Sequence, residues 1–391
     1  MVKTNDLSEK REFIMKRVVS IFMTVLLIAA MLSVFTVQVN AESYYASLNG
    51  SGTESDPYKI KDSGDWEAFV SAIESDPNHG GDLYFKLTGD IGSEGNEVWS
   101  NINEFHGVFD GDGKTIWYSN NGSLFYSNYG EIKNIVIRSG EDLEWYMGGG
   151  VICFDNYGTI DHCVNYVSLI DACLSVGGIV GDNDGLIINC VNYGFISSLW
   201  GETGGICGEN SNTGCIINCL NTAAVSGSGI CGYDFWEGRI EICFNCGKPS
   251  SGYAITQFIK DNTDNPQVLK DCYFLIPNDG AEYAASNHKI NNRDVFSAII
   301  SDFNLKRVIG YVNQTIEKYN NQTGRELSKW KLDDDGIPTF AEVPTGTTLS
   351  NGNWWIIVVG AVVIVGGIVT IIVFKKKKAT SESIAKSKDE E

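Results

Sequence analysis

The sequence predicts an all-β solenoid, a right-handed parallel β-helix with short helical caps, followed by one C-terminal transmembrane helix. Three observations lead there: a phrase repeated between Gly149 and Cys246, glycine and asparagine at fixed offsets inside it, and an uncharged run near the C-terminus. Gly177-Gly178-Ile179-Val180-Gly181 returns as Gly204-Gly205-Ile206-Cys207-Gly208, and more loosely as Gly149-Gly150-Val151-Ile152 and Gly229-Ile230-Cys231-Gly232. Each copy precedes a second phrase, Gly-x-Ile-x-x-Cys-x-Asn, at 158–165, 185–192, 214–221 and 238–245. Cys163, Cys190, Cys219, Cys243 and Cys272 align at steps of 27, 29, 24 and 29 residues. Self-similarity at such a period marks one rung per repeat, and rungs must stack to bury a core.

Taken in order, residues 1–41 read as a secretory signal. Lys10, Arg11, Lys16 and Arg17 precede the apolar run Val18–Val39, which ends at a small residue, Ala41. Residues 42–121 form an N-terminal cap and the first β-helix strands. Within them, Trp66, Phe69, Val70 and Ile73 share one stripe of a short helix over Asp65–Ile73, with Ser63 or Asp65 as N-cap. Leu83–Ile91 reads as a strand, and two short strands flank the Gly/Asp turn at 110–113.

Residues 122–280 are the rungs, with glycine and Asn/Asp turns between short strands. Ile132, Ile160, Ile187, Ile216 and Ile240 hold one constant position and should point inward. Their followers Lys133, Asp161, Ile188, Ile217 and Glu241 vary and should point out. The cysteine three places after the isoleucine breaks strict alternation, so a bend is expected near Asn189. That bend sets Asn134, Asn189 and Asn218 at a corner, interrupted by His162 and Ile242. Which asparagine column faces the interior stays open. Leucine-rich repeats share the period, but these rungs lack Leu-x-x-Leu-x-Leu and any helix-length segment.

Residues 281–340 read as a closing α+β cap, with helices over Arg293–Ser301 and Leu305–Tyr319 and a strand–turn–strand over Trp330–Phe340. A polar linker at 341–353 leads to Trp354–Phe374, 21 residues without a charge. At a rise of ~1.5 Å per residue they span ~31 Å, the thickness of a bilayer core. Trp354 and Trp355 mark the outer interface, and Lys375–Lys378 place the 375–391 tail in the cytoplasm. The expected location is therefore the cell membrane, single-pass, with the body exported.

Between residues 42 and 353, 18 Lys+Arg stand against 42 Asp+Glu. An acidic body of this kind argues against nucleic acid or anionic polymers as partners. Eleven cysteines in an exported chain suggest disulfides. Stacked rungs, however, project side chains in parallel ~4.8 Å apart, whereas a disulfide needs converging Cβ atoms. The aligned cysteines therefore read as small buried hydrophobes. Cys243-Phe244-Asn245-Cys246 lacks the strand-then-helix setting of a redox pair, and the four histidines lack ligand spacing.

The opening Gly-Ser-Gly-Thr with Asp56-Pro57-Tyr58, the Phe109-Asp110-Gly111 stretch and the Gly-Gly-Ile-Val-Gly-Asp-Asn rungs resemble bacterial cell-surface proteins with GLUG-type repeats. The Trp330-Lys331…Asp335-Gly336-Ile337-Pro338-Thr339-Phe340 ending is similar too. The resemblance covers roughly residues 48–340. It implies a pectin-lyase-like β-helix on the bacterial surface and no defined catalytic site. In that group a wall-anchoring Leu-Pro-x-Thr-Gly is common; here only Val343-Pro344-Thr345-Gly346-Thr347 stands near that place.

β-helix lyases and glycosidases work with paired carboxylates and a basic residue. Asp110 with Asp112, Asp182 with Asp184, and Asp333–Asp335 all stand beside glycines, where aspartate is favoured for turn formation alone. No Lys or Arg occurs between 149 and 238. Catalysis is not expected, and the alternatives are a glycan-active β-helix enzyme or an envelope-structural protein. Asp182 and Asp184 form a fragment of a calcium loop, so calcium is the one cofactor to consider. Trp145, Tyr146, Trp200, Tyr233 and Trp236 fall at rung turns and are the candidate binding residues for a glycan or surface-protein ligand, with Tyr157, Tyr166, Tyr193 and Phe235 in similar places.

Overall fold

The computed structural model describes residues 44–144, 148–211, 213–235, 238–250, 253–258, 268–275, 283–285, 295–298, 302–334 and 336–341. The chain winds into an all-β parallel solenoid of about seven turns. Three sheets form its walls, each built from one short strand per rung. The first wall runs through nine strands from Tyr58–Ile60 to Val268–Lys270, and includes Thr159–Asp161, Leu186–Ile188 and Cys215–Ile217. The second runs through eight from Ile102–Phe105 to Tyr283–Ala285, with Cys153–Asn156, Val180–Asn183 and Cys207–Asn210 at its centre. The third, also of eight, includes Val164–Asn165, Val191–Asn192 and Leu220–Asn221.

Every isoleucine of the constant column is fully buried, and Phe109 precedes them in the same column. Between the first and third walls the chain turns through a left-handed residue: Asn134, His162, Asn189, Asn218, Ile242 and Asp271 all have φ between 51° and 59°. This is the bend that the Ile-to-Cys spacing demanded. It carries the aligned cysteines back inside, where Cys190 donates its thiol to the Ile160 carbonyl of the rung before at 3.6 Å. All eleven cysteines are free thiols. Burial in the apolar core pushes Cys163, Cys190 and Cys219 well above the usual thiol range.

Two asparagine columns line the interior. Asn165, Asn192, Asn221 and Asn245 pass hydrogen bonds rung to rung, each Nδ2 donating to the next Oδ1 at 2.8–2.9 Å. Asn128, Asn156, Asn183 and Asn210 do the same at 2.8 Å and end on Asp234. Each amide also serves local backbone, as where Gly194 N–H donates to Asn192 Oδ1 and Nδ2 donates to Gly194 O. Stacking thus satisfies buried amides that a single rung would leave unpaired. The phrase Gly-Gly follows from this packing. A Cβ on Gly178 would lie 2.5 Å from Asn192 Cγ, and one on Gly205 would lie 2.4 Å from Asn221 Cγ.

The alignment of Gly149-Gly150 with Gly177-Gly178 needs a shift of one residue, because Gly150 pairs with Gly177 and Cys153 with Val180. Helix α1 (Ser63–Ser75) is one turn longer than the apolar stripe. Its N-cap is Asp62, which accepts from the N–H groups of Gly64 and Asp65 at 3.1 Å, rather than Ser63 or Asp65. Its Trp66 and Phe69 close the end of the solenoid against Phe85 and Phe109.

The C-terminal part lies along a flank. Helix α2 (Asp302–Thr323) buries Leu305, Ile309, Val312 and Ile316 against Ile188, Ile217, Ile242, Leu220 and Phe244. Two isoleucines expected to face solvent do point out of the solenoid, but beneath this helix, and Glu241 is buried with them beside Arg239. The following segment straps the corner column: Trp330 Nε1 donates to Asn218 Oδ1 at 2.7 Å, and the Ser328 N–H donates to Asn189 Oδ1 at 3.0 Å. His162 Nε2 meets Ser328 Oγ at 2.8 Å. Trp330–Leu332 and Pro338–Phe340 then pair as an antiparallel hairpin. The helix expected over Arg293–Ser301 is instead the strand Val295–Ala298, which pairs with Cys272–Leu275. Its Val-Phe start suits a sheet edge already waiting to be extended. The signal segment and the expected membrane span at 354–374 lie outside the described residues. Among the described residues, no helix is long and apolar enough to cross a membrane.

Candidate functional site: an acidic column beside an apolar ridge

The second wall presents two consecutive outward residues on each strand between inward neighbours. One outward column is Asp155, Asp182, Glu209 and Tyr233, paired in register from rung to rung. Beside it run Gly181, Gly208 and Gly232. These positions have no room for a side chain: a Cβ on Gly181 would sit 2.6 Å from Gly149 Cα, and one on Gly208 would sit 2.8 Å from Val176 N. The small sheet Gly149–Gly150, Val176–Gly177 and Thr203–Gly204 therefore lies directly against the wall and borders the acidic column.

Like charges at rung spacing repel, and partial burial reduces the screening that water would supply. Burial first, then Glu209, Asp155 and Asp184, push the Asp182 carboxyl up to about 7. Burial and Asp184 raise Asp155 as well, and burial with Glu209 raises Glu202. Ser175 Oγ donates a short hydrogen bond to Glu209. Among the described residues, no lysine, arginine or histidine forms an ion pair with Asp155, Asp182 or Glu209. Asp182 is a strand residue, contrary to its reading as a turn residue, whereas Asp184 does stand in the turn. Asp234, enclosed in the interior, is pushed up to about 7 by burial and opposed by its bond from Asn210.

Across the small sheet, the loops that lead into it carry exposed apolar side chains. Leu174 is 54% exposed, Leu199 56% and Trp200 86%. Gly201 packs onto the backbone of Leu174, where a Cβ would fall 2.0 Å from its carbonyl carbon, so the two loops are stacked. Ser198 Oγ ties them by donating to Leu174 O at 3.1 Å. Ser175 follows Leu174 and touches Glu209, while Glu202, two places after Trp200, is close enough to Glu209 to be raised by it, so the ridge and the acidic column adjoin.

No family model and no curated protein matches the chain. A crystal structure from Bacteroides ovatus, described as a "putative immunoglobulin A1 protease", is 19% identical with a TM-score of 0.46, over 75% of this chain and 94% of that one.

Of the residues singled out from the sequence, Trp200 is the most exposed apolar residue of this ridge. Tyr233 is only 6% exposed, in the acidic column and against Phe235 at 4.2 Å, so it offers little surface. Trp145, Tyr146 and Trp236 lie outside the described residues. Among the described residues, no group of three His, Cys, Asp or Glu side chains converges to hold a metal ion. The turn tyrosines stack on one another from rung to rung. Tyr129 stacks between His106 and Tyr157 at 4.8 Å on either side, and Tyr166 stacks on Tyr193 with Arg138 over its other face at 3.8 Å. Most of those ring faces are occupied by their rung neighbours. A groove of about 300 Å³ between α2 and the corner, lined by Glu241, Lys270, Tyr311 and Lys318, lies on the opposite flank.

Sequence reasoning missed Asp155, Glu209, Leu174 and Leu199. With Gly150 and Gly177 aligned, Asp155, Asp182 and Glu209 each fall five places after the first glycine of their rung. The slipped alignment hid that column.

Proposed function

We propose that the protein is a membrane-anchored bacterial surface protein whose β-solenoid serves as a binding scaffold for a glycan or protein ligand. The observation that carries this reading is the ridge of Leu174, Leu199 and Trp200, raised on stacked loops of a rigid solenoid. Exposed large apolar groups held in one place by a rigid frame are what an interface needs, and tryptophan is prominent among residues that dominate binding energy. The uncharged run at 354–374 supports display from the membrane, and the Gly-rich rungs support the kinship with GLUG-type surface proteins. Two measurements test this. Antibody against the solenoid should label intact cells, and Trp200→Ala should lose at least tenfold in affinity for ligands captured on glycan and protein arrays. Absence of labelling, or arrays on which wild type and variant bind alike, would refute it.

One observation favours a second reading, a glycan-active enzyme. Asp182 is held near neutrality beside Asp155 and Glu209, and a protonated carboxyl next to an ionised one is the pairing of glycoside cleavage. Turnover of uronic-acid or neutral polysaccharides that disappears in Asp182→Asn would establish it. No turnover by wild type would remove it.

A further inference from the structure

The column Asp155–Asp182–Glu209 costs the fold repulsion, yet no cation of the described solenoid relieves it. The cations lie on the other two walls and are paired there: Lys86 with Asp112 at 2.8 Å and Lys133 with Glu131 at 2.8 Å on the first, while Arg138 on the third covers Tyr166. The acidic column runs along the solenoid axis, one carboxylate per rung at the ~4.8 Å spacing of neighbouring strands. The apolar ridge runs beside it, one loop per rung. Two adjacent lines of different chemistry suit a ligand with two different edges. An extended polypeptide has that form, since successive side chains point to opposite sides. Nucleic acid and other polyanions are repelled by the column, and a neutral glycan leaves its charge unanswered.

We propose that the Leu174–Leu199–Trp200 ridge and the Asp155–Asp182–Glu209 column together dock an extended polypeptide segment that alternates basic and apolar side chains. This rests on the binding-scaffold reading and names the chemistry of its partner. The basic side chains lie over the carboxylates, which are desolvated enough for the pairing to exceed that of an exposed ion pair. The apolar ones cover Trp200 and its leucine neighbours.

The test titrates the full-length protein into three fluorescein-labelled dodecapeptides: alternating Lys–Leu, alternating Glu–Leu and alternating Lys–Ser. Anisotropy should show Lys–Leu binding at least tenfold tighter than either control. Its affinity should fall at least tenfold when NaCl is raised from 50 to 500 mM. The isosteric pair Asp182→Asn/Glu209→Gln and, separately, Trp200→Ala should each lose at least tenfold, with unchanged circular dichroism. Should Glu–Leu bind equally well and in a Trp200-dependent way, the ridge still docks a partner and only its basic character is overturned. If Lys–Ser matches Lys–Leu and ignores Trp200, general attraction to an acidic protein explains the binding and the proposal falls. Failure of all three peptides overturns it as well. Adsorption to zwitterionic lipid vesicles through Trp200 would assign the ridge to a bilayer instead.

Discussion

The two flanks of the solenoid come from the same repeat and meet opposite fates. On the corner side, the outward residues Ile188, Ile217 and Ile242 are apolar and lie under α2, joined by Asn189 and Asn218 hydrogen-bonding to the 326–330 strap. On the far side, the outward residues are carboxylates and glycines, with apolar side chains lifted onto loops and left open. Both flanks rest on one interior of isoleucines, cysteines and asparagine ladders. Outward positions are therefore free to vary, and where they are apolar and covered they serve the fold. Where they are charged or apolar and uncovered, stability does not account for them.

The interior shared by both flanks should be sensitive to single substitutions. Asn192→Ala leaves Asn165 Nδ2 and Asn221 Oδ1 without their rung partners in a buried site, and the Gly194 N–H loses its acceptor. The expected cost is about 3 kcal/mol, since each buried polar group stranded this way costs about 1–3 kcal/mol. Urea denaturation reads it as a lower midpoint at unchanged slope. A midpoint within experimental error of wild type would mean that the ladder adds nothing to stability. Next comes the covered flank. Ile217→Ser should cost about 2 kcal/mol in lost apolar burial, and trypsin should cut after Arg325 faster as α2 loosens. Glu209→Ser, the same manoeuvre on the open flank, should change stability by no more than about 0.5 kcal/mol. Equal effects on the two flanks would abolish the distinction.

Much of this was legible in the sequence, for a physical reason. The period, the inward isoleucines and the buried cysteines follow from stacking identical units, so repetition in the chain is repetition in space. That the chain bends near Asn189 was readable from a single odd spacing, between Ile187 and Cys190; the left-handed conformation of the bend was not. What stayed hidden depends on contacts between distant segments. Nothing local at Ile217 says that a helix about 100 residues later will cover it. Asp182 reads as a turn residue because Gly181 and Gly185 flank it, yet Gly181 is there so that Gly149 can pack on the wall. The tyrosines are equally ambiguous, because turn positions suit both an open aromatic ridge and a self-stacked column.

The open flank should also reveal itself through pH. The folded state raises the Asp182 carboxyl to about 7 from an ordinary value of 3.8. Between those values the folded protein binds more protons than the unfolded chain, so stability falls as pH rises from about 4 to 7 and is level above. Asp182→Asn removes the Asp182 share of that dependence while Asp155 and Asp234 keep theirs, and at pH 8 should stabilise the protein by about 1 kcal/mol, the full shift being discounted for solvent screening. A variant that tracks wild type across pH 5–8 would show that the column carries no strain.

The smallest effect on stability is expected where the largest effect on binding is expected. Trp200 is 86% exposed, so its removal uncovers no core and should leave the urea midpoint within about 0.5 kcal/mol of wild type. Leu220, on the third wall just past the corner, is fully buried beneath α2 and against its neighbours, and Leu220→Ala should cost about 2–5 kcal/mol. The pair makes a direct test of the two flanks, because both remove a large apolar side chain from an outward position of the solenoid. Should Trp200→Ala destabilise as Leu220→Ala does, the ridge is covered in the folded protein and belongs to its packing. A stable Trp200→Ala protein that has lost its ligand would leave binding as the reason for an uncovered tryptophan on that loop.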